Sequence, residues 1–249
     1  MPNISSVILE YPMGKESQIE WTEATWNPWH GCKKISPGCK NCYMYREKKR
    51  YGQDPHNVTK SKTTFKAPLG WKSSKTIFTC SWSDFFIQEA DDWRDDAWDV
   101  IRKTPEHTYQ ILTKRPERVE DFLPKDWGDG WSHVWIGVSI ENQKYVYRKE
   151  LLCEIPSTVR FISAEPLLGK SDLGDLECID WTITGGESGP NARPMKIDWI
   201  RSIRDQCMKS GIAFFHKQNG GTKKINGAWG GRSFDGKTWS VMPEIVIQT

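Results

Sequence analysis

The sequence predicts an α/β protein built as a single TIM-like (β/α) barrel of six to eight units, complete or incomplete, with a small C-terminal hairpin. Two observations predict this fold. Short apolar runs rich in β-forming residues alternate with polar clusters and then with helical or loop segments along most of the 249-residue chain. The runs are continuously apolar, which is typical of parallel strands buried on both faces. Parallel strands with crossover segments connect right-handed into a sheet or barrel.

The strands are predicted from these runs in order. A first strand is expected near residues 19–21, which brings the total to about seven βα units. The six clear runs are residues 76–80, 108–112, 134–138, 159–162, 181–184 and 212–215.

Helices and a hairpin are predicted from residue spacing. Residues 93–102 place Trp93, Ala97, Val100 and Ile101 on one stripe, and residues 199–210 have a helical period that ends at a glycine. A hairpin is expected around Asp235 and Gly236. We predict one domain over 1–249: an N-terminal extension (1–19), a barrel (20–220) containing a cysteine loop (26–43), and a hairpin tail (221–249).

Composition narrows the class of protein. The N-terminus has no basic region followed by an apolar run, and no apolar stretch approaches the roughly 20 residues of a membrane span, so we expect a cytoplasmic protein without a membrane partner. Residues 33–75 hold twelve Lys or Arg against two acids. This basic segment indicates either a polyanionic partner such as nucleic acid or a solvated basic face. Oligomeric state is not indicated.

Three of the seven cysteines, Cys32, Cys39 and Cys42, lie within eleven residues, and the other four are scattered. This pattern favours a metal site plus buried thiols over a disulfide framework. The three thiolates suit a [4Fe–4S] cluster with one open iron, or a tetrahedral zinc site completed by His30. The predicted barrel favours the iron–sulfur cluster over the zinc site. A redox dithiol at Cys39 and Cys42 would leave Cys32 unexplained.

Polar clusters follow the predicted strands, and in a barrel the C-terminal strand ends share one rim, where active sites form. Trp26, Trp29 and Trp82 flank these motifs and are candidates to stack on a base. The rim residues are Ser81, Ser83, Asp84, Lys114, Arg115, Glu141, Asn142, Glu165, Gly185, Gly186, Glu187, Lys217 and Gln218.

The cysteine loop is similar to that of radical S-adenosylmethionine (SAM) enzymes, although their better-known spacing is C-x3-C-x2-C and here it is C-x6-C-x2-C. A longer series of motifs occurs in order at 26–32 (Trp-Asn-Pro-Trp-His-Gly-Cys), 36–43, 112–118, 137–143, 163–169, 185–190 (Gly-Gly-Glu-Ser-Gly-Pro), 215–218 and 231–243. By these motifs the chain resembles the phage-associated three-cysteine-motif family, which is catalogued as a domain of unknown function. This second resemblance is the closer one and covers residues 20–243.

The resemblance implies a radical-SAM-like, phage- or bacterium-encoded enzyme with a [4Fe–4S] cluster on the three cysteines. SAM would bind Ser81, Ser83, Asp84, Glu141, Asn142 and the Gly185–Gly186 loop, and catalysis would occur near Lys114, Glu165, Glu187 or Lys217. We expect a nucleic-acid base or nucleotide as substrate, in modification or repair, and an external flavodoxin- or ferredoxin-like electron donor. The alternatives are a zinc-stapled nucleic-acid-binding module and an iron–sulfur protein whose cluster is structural or redox-active without SAM.

Overall fold

A computed structural model describes residue 17 and residues 19–243 of the chain. The strands are β1 (Ala24–Trp26), β2 (Trp29–His30), β3 (Thr59–Lys60), β4 (Thr76–Thr79), β5 (Thr108–Thr113), β6 (Val134–Ser139), β7 (Val159–Ala164), β8 (Trp181–Gly185), β9 (Ala213–Gln218), β10 (Lys224–Ile225), β11 (Ala228–Trp229), β12 (Ser233–Phe234) and β13 (Lys237–Thr238). Seven of them form a central, all-parallel sheet that curves into a half-barrel, with the strand order β1-β4-β5-β6-β7-β8-β9.

Four α-helices accompany the sheet in the described part of the chain. They are α1 (Tyr43–Arg50), α2 (Asp91–Arg102), α3 (Tyr147–Glu154) and α4 (Ile197–Ser210). The last of these ends at Gly211, whose φ of 70° is the left-handed conformation expected of a glycine cap. None of these helices has the length and apolar character needed to cross a membrane.

The half-barrel has an apolar layer on each face. The outer layer packs the sheet against the helices. The inner layer is mostly aromatic and includes Trp21, Trp135, Phe161 and Trp181. A Cβ on Gly137 of β6 would lie 2.5 Å from the Phe161 ring, so only glycine leaves room for this ring beside β6. The concave interior is therefore filled by side chains below its C-terminal end.

The predicted parallel α/β architecture is confirmed, and the six clear runs all form strands. Strands β1 and β9 lie at opposite edges, and no pairing between described residues joins them, so the half-barrel is incomplete. The prediction of a first strand at 19–21 was wrong. These residues form a turn, and Ala24–Trp26 pairs with β4 instead. Of the predicted extension 1–19, all but residues 17 and 19 lie outside the described residues.

The tail forms the predicted hairpin. Strands β12 and β13 pair antiparallel across Asp235 and Gly236, whose φ angles of 52° and 70° are those of a two-residue hairpin turn. Beyond it, Ser240 bridges to Phe215, and Trp181 donates its indole N–H to the carbonyl of Val241 at 3.0 Å. The tail thus covers the edge of the sheet at β9.

Two of the scattered cysteines are not free thiols. Cys153 in α3 and Cys178 before β8 form a disulfide across 25 residues, with their Cα atoms 5.7 Å apart. The expectation of four buried thiols outside the cysteine loop therefore holds only for Cys80 and Cys207. The sequence did not predict this disulfide, because no local sequence pattern shows that the chain between the two cysteines brings them together.

Candidate functional site

A cavity of about 240 Å³ lies at the C-terminal end of the half-barrel, between the cysteine loop and the strand ends. Strand ends are where a parallel sheet presents polar side chains without disturbing its core. The predicted site residues that line the cavity are Cys32, Cys39, Cys42, Ser81, Ser83, Asp84, Lys114, Arg115, Glu165, Gly186, Glu187, Lys217 and Gln218.

The cysteine loop is fastened to the barrel by hydrogen bonds along its length. Ser83 donates to the Gly31 carbonyl at 2.5 Å, and Tyr45 donates to the Cys32 carbonyl at 2.5 Å. Arg115 donates to the Lys33 carbonyl and Arg193 donates to the Pro37 carbonyl, each at 3.0 Å. The loop conformation is therefore fixed from α1 and from the segments that follow β4, β5 and β8, which holds the three thiols against the same cavity.

The surroundings of the thiols combine burial with nearby positive charge. Burial raises the pKa of the Cys32 thiol to about 12; the Asp84 carboxylate adds to the rise and the Arg115 guanidinium opposes it. Burial likewise raises the pKa of Cys42, while the nearby backbone N–H groups of Met44 and Tyr45, at the start of α1, oppose the rise. Backbone N–H groups thus lie near the position where a thiolate would carry charge.

The described residues contain no ready-made group of three or more His, Cys, Asp or Glu side chains able to hold a metal ion. Cys39 is buried, whereas Cys32 and Cys42 are half-buried, and all three border the same cavity. A fourth thiol, Cys80, is 3% exposed, lines the cavity from the end of β4 and has a left-handed φ of 62°.

Glu141 lies beneath the cysteine loop and does not line the cavity. Its side chain is fully buried and accepts hydrogen bonds from Ser36, from Lys114 at 2.8 Å and from Arg148 at 3.1 Å. Although burial alone would raise it, Lys114, Ser36 and Arg148 hold the pKa of this carboxyl below its usual range. Glu141 therefore ties the loop to β5 and α3.

Asn142, which like Glu141 was expected to bind SAM, also has a structural partner. Its side-chain oxygen accepts the backbone N–H of Lys144 at 3.0 Å and so caps the short turn that follows. It is not among the described residues that line the cavity.

Asp84 borders the cavity, but its carboxylate is satisfied by the protein. It is 4% exposed and accepts hydrogen bonds from Thr113 at 2.7 Å, from Arg115 at 2.9 Å and from the backbone N–H groups of Lys114 and Phe86. This carboxylate holds the Arg115 guanidinium, which in turn reaches the cysteine loop.

The other two carboxylates lie on the opposite wall. Glu165 faces Lys217, with 3.4 Å between the carboxylate oxygen and the ammonium nitrogen. A Cβ on Gly185 would lie 2.2 Å from the Glu165 carboxylate, so Gly185 makes room for Glu165 and does not itself line the cavity. Glu187 accepts two bonds from the Arg193 side chain and one from Asn41, and these donors keep its pKa low despite burial.

The floor of the cavity is apolar with two hydroxyls. Trp21, Phe78 and Leu112 come from the inner aromatic layer. Ser139 of β6 and Ser163 of β7 are register partners and stand side by side above it. A flat, largely apolar group with a polar edge matches this floor.

The tryptophans predicted to stack divide into two groups. Trp26 and Trp29 are fully buried in the outer core, whereas Trp82 lines the cavity with its ring centroid 6.4 Å from that of Tyr43. His30, the candidate zinc ligand, places a ring nitrogen 3.2 Å from Thr59 Oγ1 in β3 and is not among the described residues that line the cavity.

Sequence reasoning missed two contributors to this site, Asn41 and Arg193, which hold Glu187. Cys80, one of the scattered thiols, also lines the cavity wall. Asn41 could have been predicted as a site residue because it is next to Cys42 in the sequence. Arg193 could not, because it lies in an irregular segment where the sequence has no helix or strand periodicity.

The fold and the cavity together define an α/β half-barrel protein with a thiol-rich site at the C-terminal ends of its strands. The chain belongs to a protein family described as of unknown function, DUF5131, whose family model matches residues 16–243. No curated protein and no solved structure matches the chain.

Proposed function

We propose that the protein is a radical-SAM-like iron–sulfur enzyme that acts on a nucleic-acid base or nucleotide, in modification or repair. The observation that carries this proposal is the convergence of Cys32, Cys39 and Cys42 on one cavity at the C-terminal edge of a parallel half-barrel. Three thiolates suit a [4Fe–4S] cluster whose fourth iron takes a ligand from outside the protein. That edge is also where (β/α) barrels bind substrates.

The donor set fits an iron–sulfur cluster better than a closed zinc site. A structural zinc site needs four protein ligands, and the expected fourth, His30, turns its ring towards Thr59. The N–H groups near Cys42 and the cations of Lys114 and Arg115 stabilise the negative charge of a thiolate-bound cluster.

When bound, the cluster and SAM supply the electron transfer and the radical chemistry, with electrons from an external flavodoxin- or ferredoxin-like donor. Ser81, Ser83 and Gly186 line the cavity and are the residues we assign to SAM, whereas Asp84 supports the site by holding Arg115. Glu141, Asn142 and Gly185 support the site from outside the cavity: they hold the cysteine loop, cap a turn and make room for Glu165.

The opposite wall contacts the substrate in this proposal. The Lys217 ammonium and the Glu165 carboxylate provide a donor and an acceptor 3.4 Å apart, which suits the polar edge of a base. Trp21 and Phe78 form an apolar floor that takes a flat ring and excludes water. Lys114, held by Glu141, and Glu187, held by Arg193, are fixed in position beside it.

Metal analysis tests the proposal. Protein purified anaerobically is expected to carry about four irons and four sulfides per chain. Cys39→Ala should lose most of the iron, whereas Cys207→Ala, which truncates a buried thiol in α4 away from the cavity, should retain it. Stoichiometric zinc without iron, or equal iron in both variants, would overturn the proposal.

A further inference from the structure

We infer that the substrate base is part of a single nucleic-acid strand, and that this strand docks on the exposed surface formed by the cysteine loop and α1. The inference deepens the proposed function and rests on its choice of a nucleic-acid base as substrate. We call this surface the docking face. Its exposed residues are Lys33, Lys34, Lys40, Tyr43, Arg46, Lys49, Arg50 and Tyr51.

The docking face is strongly positive. Residues 33–51 contain seven Lys or Arg and one acid, Glu47, and only Lys48 among the seven cations is buried. Glu47 is half-buried and pairs with Arg46 at 3.2 Å and with Arg50 at 3.8 Å. In the described part of the chain, Lys40 and Lys49 form no ion pair. Exposed pairs contribute little stability, so these cations remain available to phosphates.

Two exposed aromatic rings flank α1. Tyr43 at its start is 41% exposed and Tyr51 just past its end is 43% exposed. The Arg50 guanidinium lies 5.8 Å from the centre of the Tyr51 ring. Aromatic rings interleaved with cations bind single strands, whose bases offer free faces for stacking. A duplex keeps those faces inside its own stack and presents mainly phosphates, so the rings favour a single strand.

The docking face leads directly to the cavity. Helix α1 begins one residue after Cys42, and Tyr43 lines the cavity as well as the surface. Arg46 reaches the far side of the opening, where its Nη1 lies 3.0 Å from the position of a Cβ on Gly189. Eight helical residues extend about 12 Å, roughly the span of three phosphates along one strand. A strand on α1 therefore passes the cavity and can insert one base into it.

Fluorescence anisotropy with labelled oligothymidine, over a series of salt concentrations, tests the docking face. The variant Lys40→Gln/Lys49→Gln/Arg50→Gln should bind at least about tenfold more weakly, and its log–log salt slope should fall by about 2, at roughly 0.7 per lost phosphate contact. The control is Lys125→Gln/Lys209→Gln/Lys223→Gln, which removes the same charge from exposed positions elsewhere and should bind like the wild type. Equal loss in both variants would overturn the inference.

Stacking is tested separately from charge. Tyr51→Ala should weaken oligothymidine binding about tenfold without changing the salt slope. A duplex of the same length that binds as tightly as the single strand, or a Tyr51→Ala variant that binds normally, would show binding by charge alone and overturn the inference. Circular dichroism confirms that each variant is folded.

Iron and sulfide are measured on the same preparations, so the two proposals fail separately. Strand binding without a cluster contradicts the enzyme but leaves the docking face. A cluster in a protein that binds no single strand contradicts the docking face but leaves the enzyme.

Discussion

Replacing Glu141 by glutamine should destabilise the protein by about 3 kcal/mol, because it removes one partner from a buried ion pair. Both Glu141 and Arg148 are at most 1% exposed, and their side chains are 3.1 Å apart. In the variant, Arg148 keeps its bond to the Ser139 carbonyl but loses its counter-charge in a site that water does not reach. Lys114 is 19% exposed and can turn towards solvent, so Arg148 accounts for most of the cost.

Urea denaturation of the wild type and the variant measures this difference. The matched control is Glu154→Gln, which removes an exposed acid from α3 that forms no ion pair with the described residues. Its loss should not exceed about 0.5 kcal/mol. If Glu141→Gln loses no more stability than this control, the buried Glu141–Arg148 pair does not stabilise the fold in the way described.

Three further predictions concern the strand-end loops and the last strand of the sheet. Gly186→Ala should lower the free energy of unfolding by about 2 kcal/mol, because the added Cβ would lie 2.2 Å from a backbone oxygen. The added Cβ of Gly70→Ala meets nothing within 4 Å, so this control should leave stability unchanged. Thermal unfolding of the two variants measures the difference. Arg193→Gln removes three side-chain hydrogen bonds to the cysteine loop and the loop after β8, so hydrogen exchange in residues 36–42 should become faster. Arg201→Gln, on α4, should leave that exchange unchanged, and equal rates in both variants would contradict this role. Burial lowers the pKa of His216 to about 4 from its usual 6.5, so an unfolded chain takes up the proton first as pH falls. The free energy of unfolding should therefore fall by about 2 kcal/mol between pH 7 and pH 5 because of His216. Denaturation of the wild type and of His216→Gln at the two pH values measures this contribution, which the variant should lack. An equal fall in both proteins would refute the prediction.

Much of the fold could be predicted because its signals are local. Continuous apolar runs located β4 to β9, an apolar stripe located α2, and Asp235 with Gly236 fixed the turn of the tail hairpin. Strand β1 was missed because it is only three residues long and depends on pairing with β4, whereas residues 19–21 have stronger β propensity. Pairing across the fold decides such short strands.

The site was predictable at the level of which residues meet, because parallel strands bring their C-terminal ends together. It was not predictable which way each side chain turns. Glu141 points beneath the cysteine loop because Arg148, the second residue of α3, pairs with it there, and Asp84 is turned towards Arg115. The sequence contains no sign of these pairings, since each depends on how separate segments pack.

The central claim is that Cys32, Cys39 and Cys42 bind an iron–sulfur cluster with one iron open to SAM. Electron paramagnetic resonance of the anaerobically reduced protein, recorded with and without SAM, tests it most directly. We predict a reduced-cluster signal that shifts when SAM is added. A cluster signal that SAM leaves unchanged would contradict the open iron and favour a structural or redox cluster, and no iron–sulfur signal in protein that contains zinc would contradict the cluster itself.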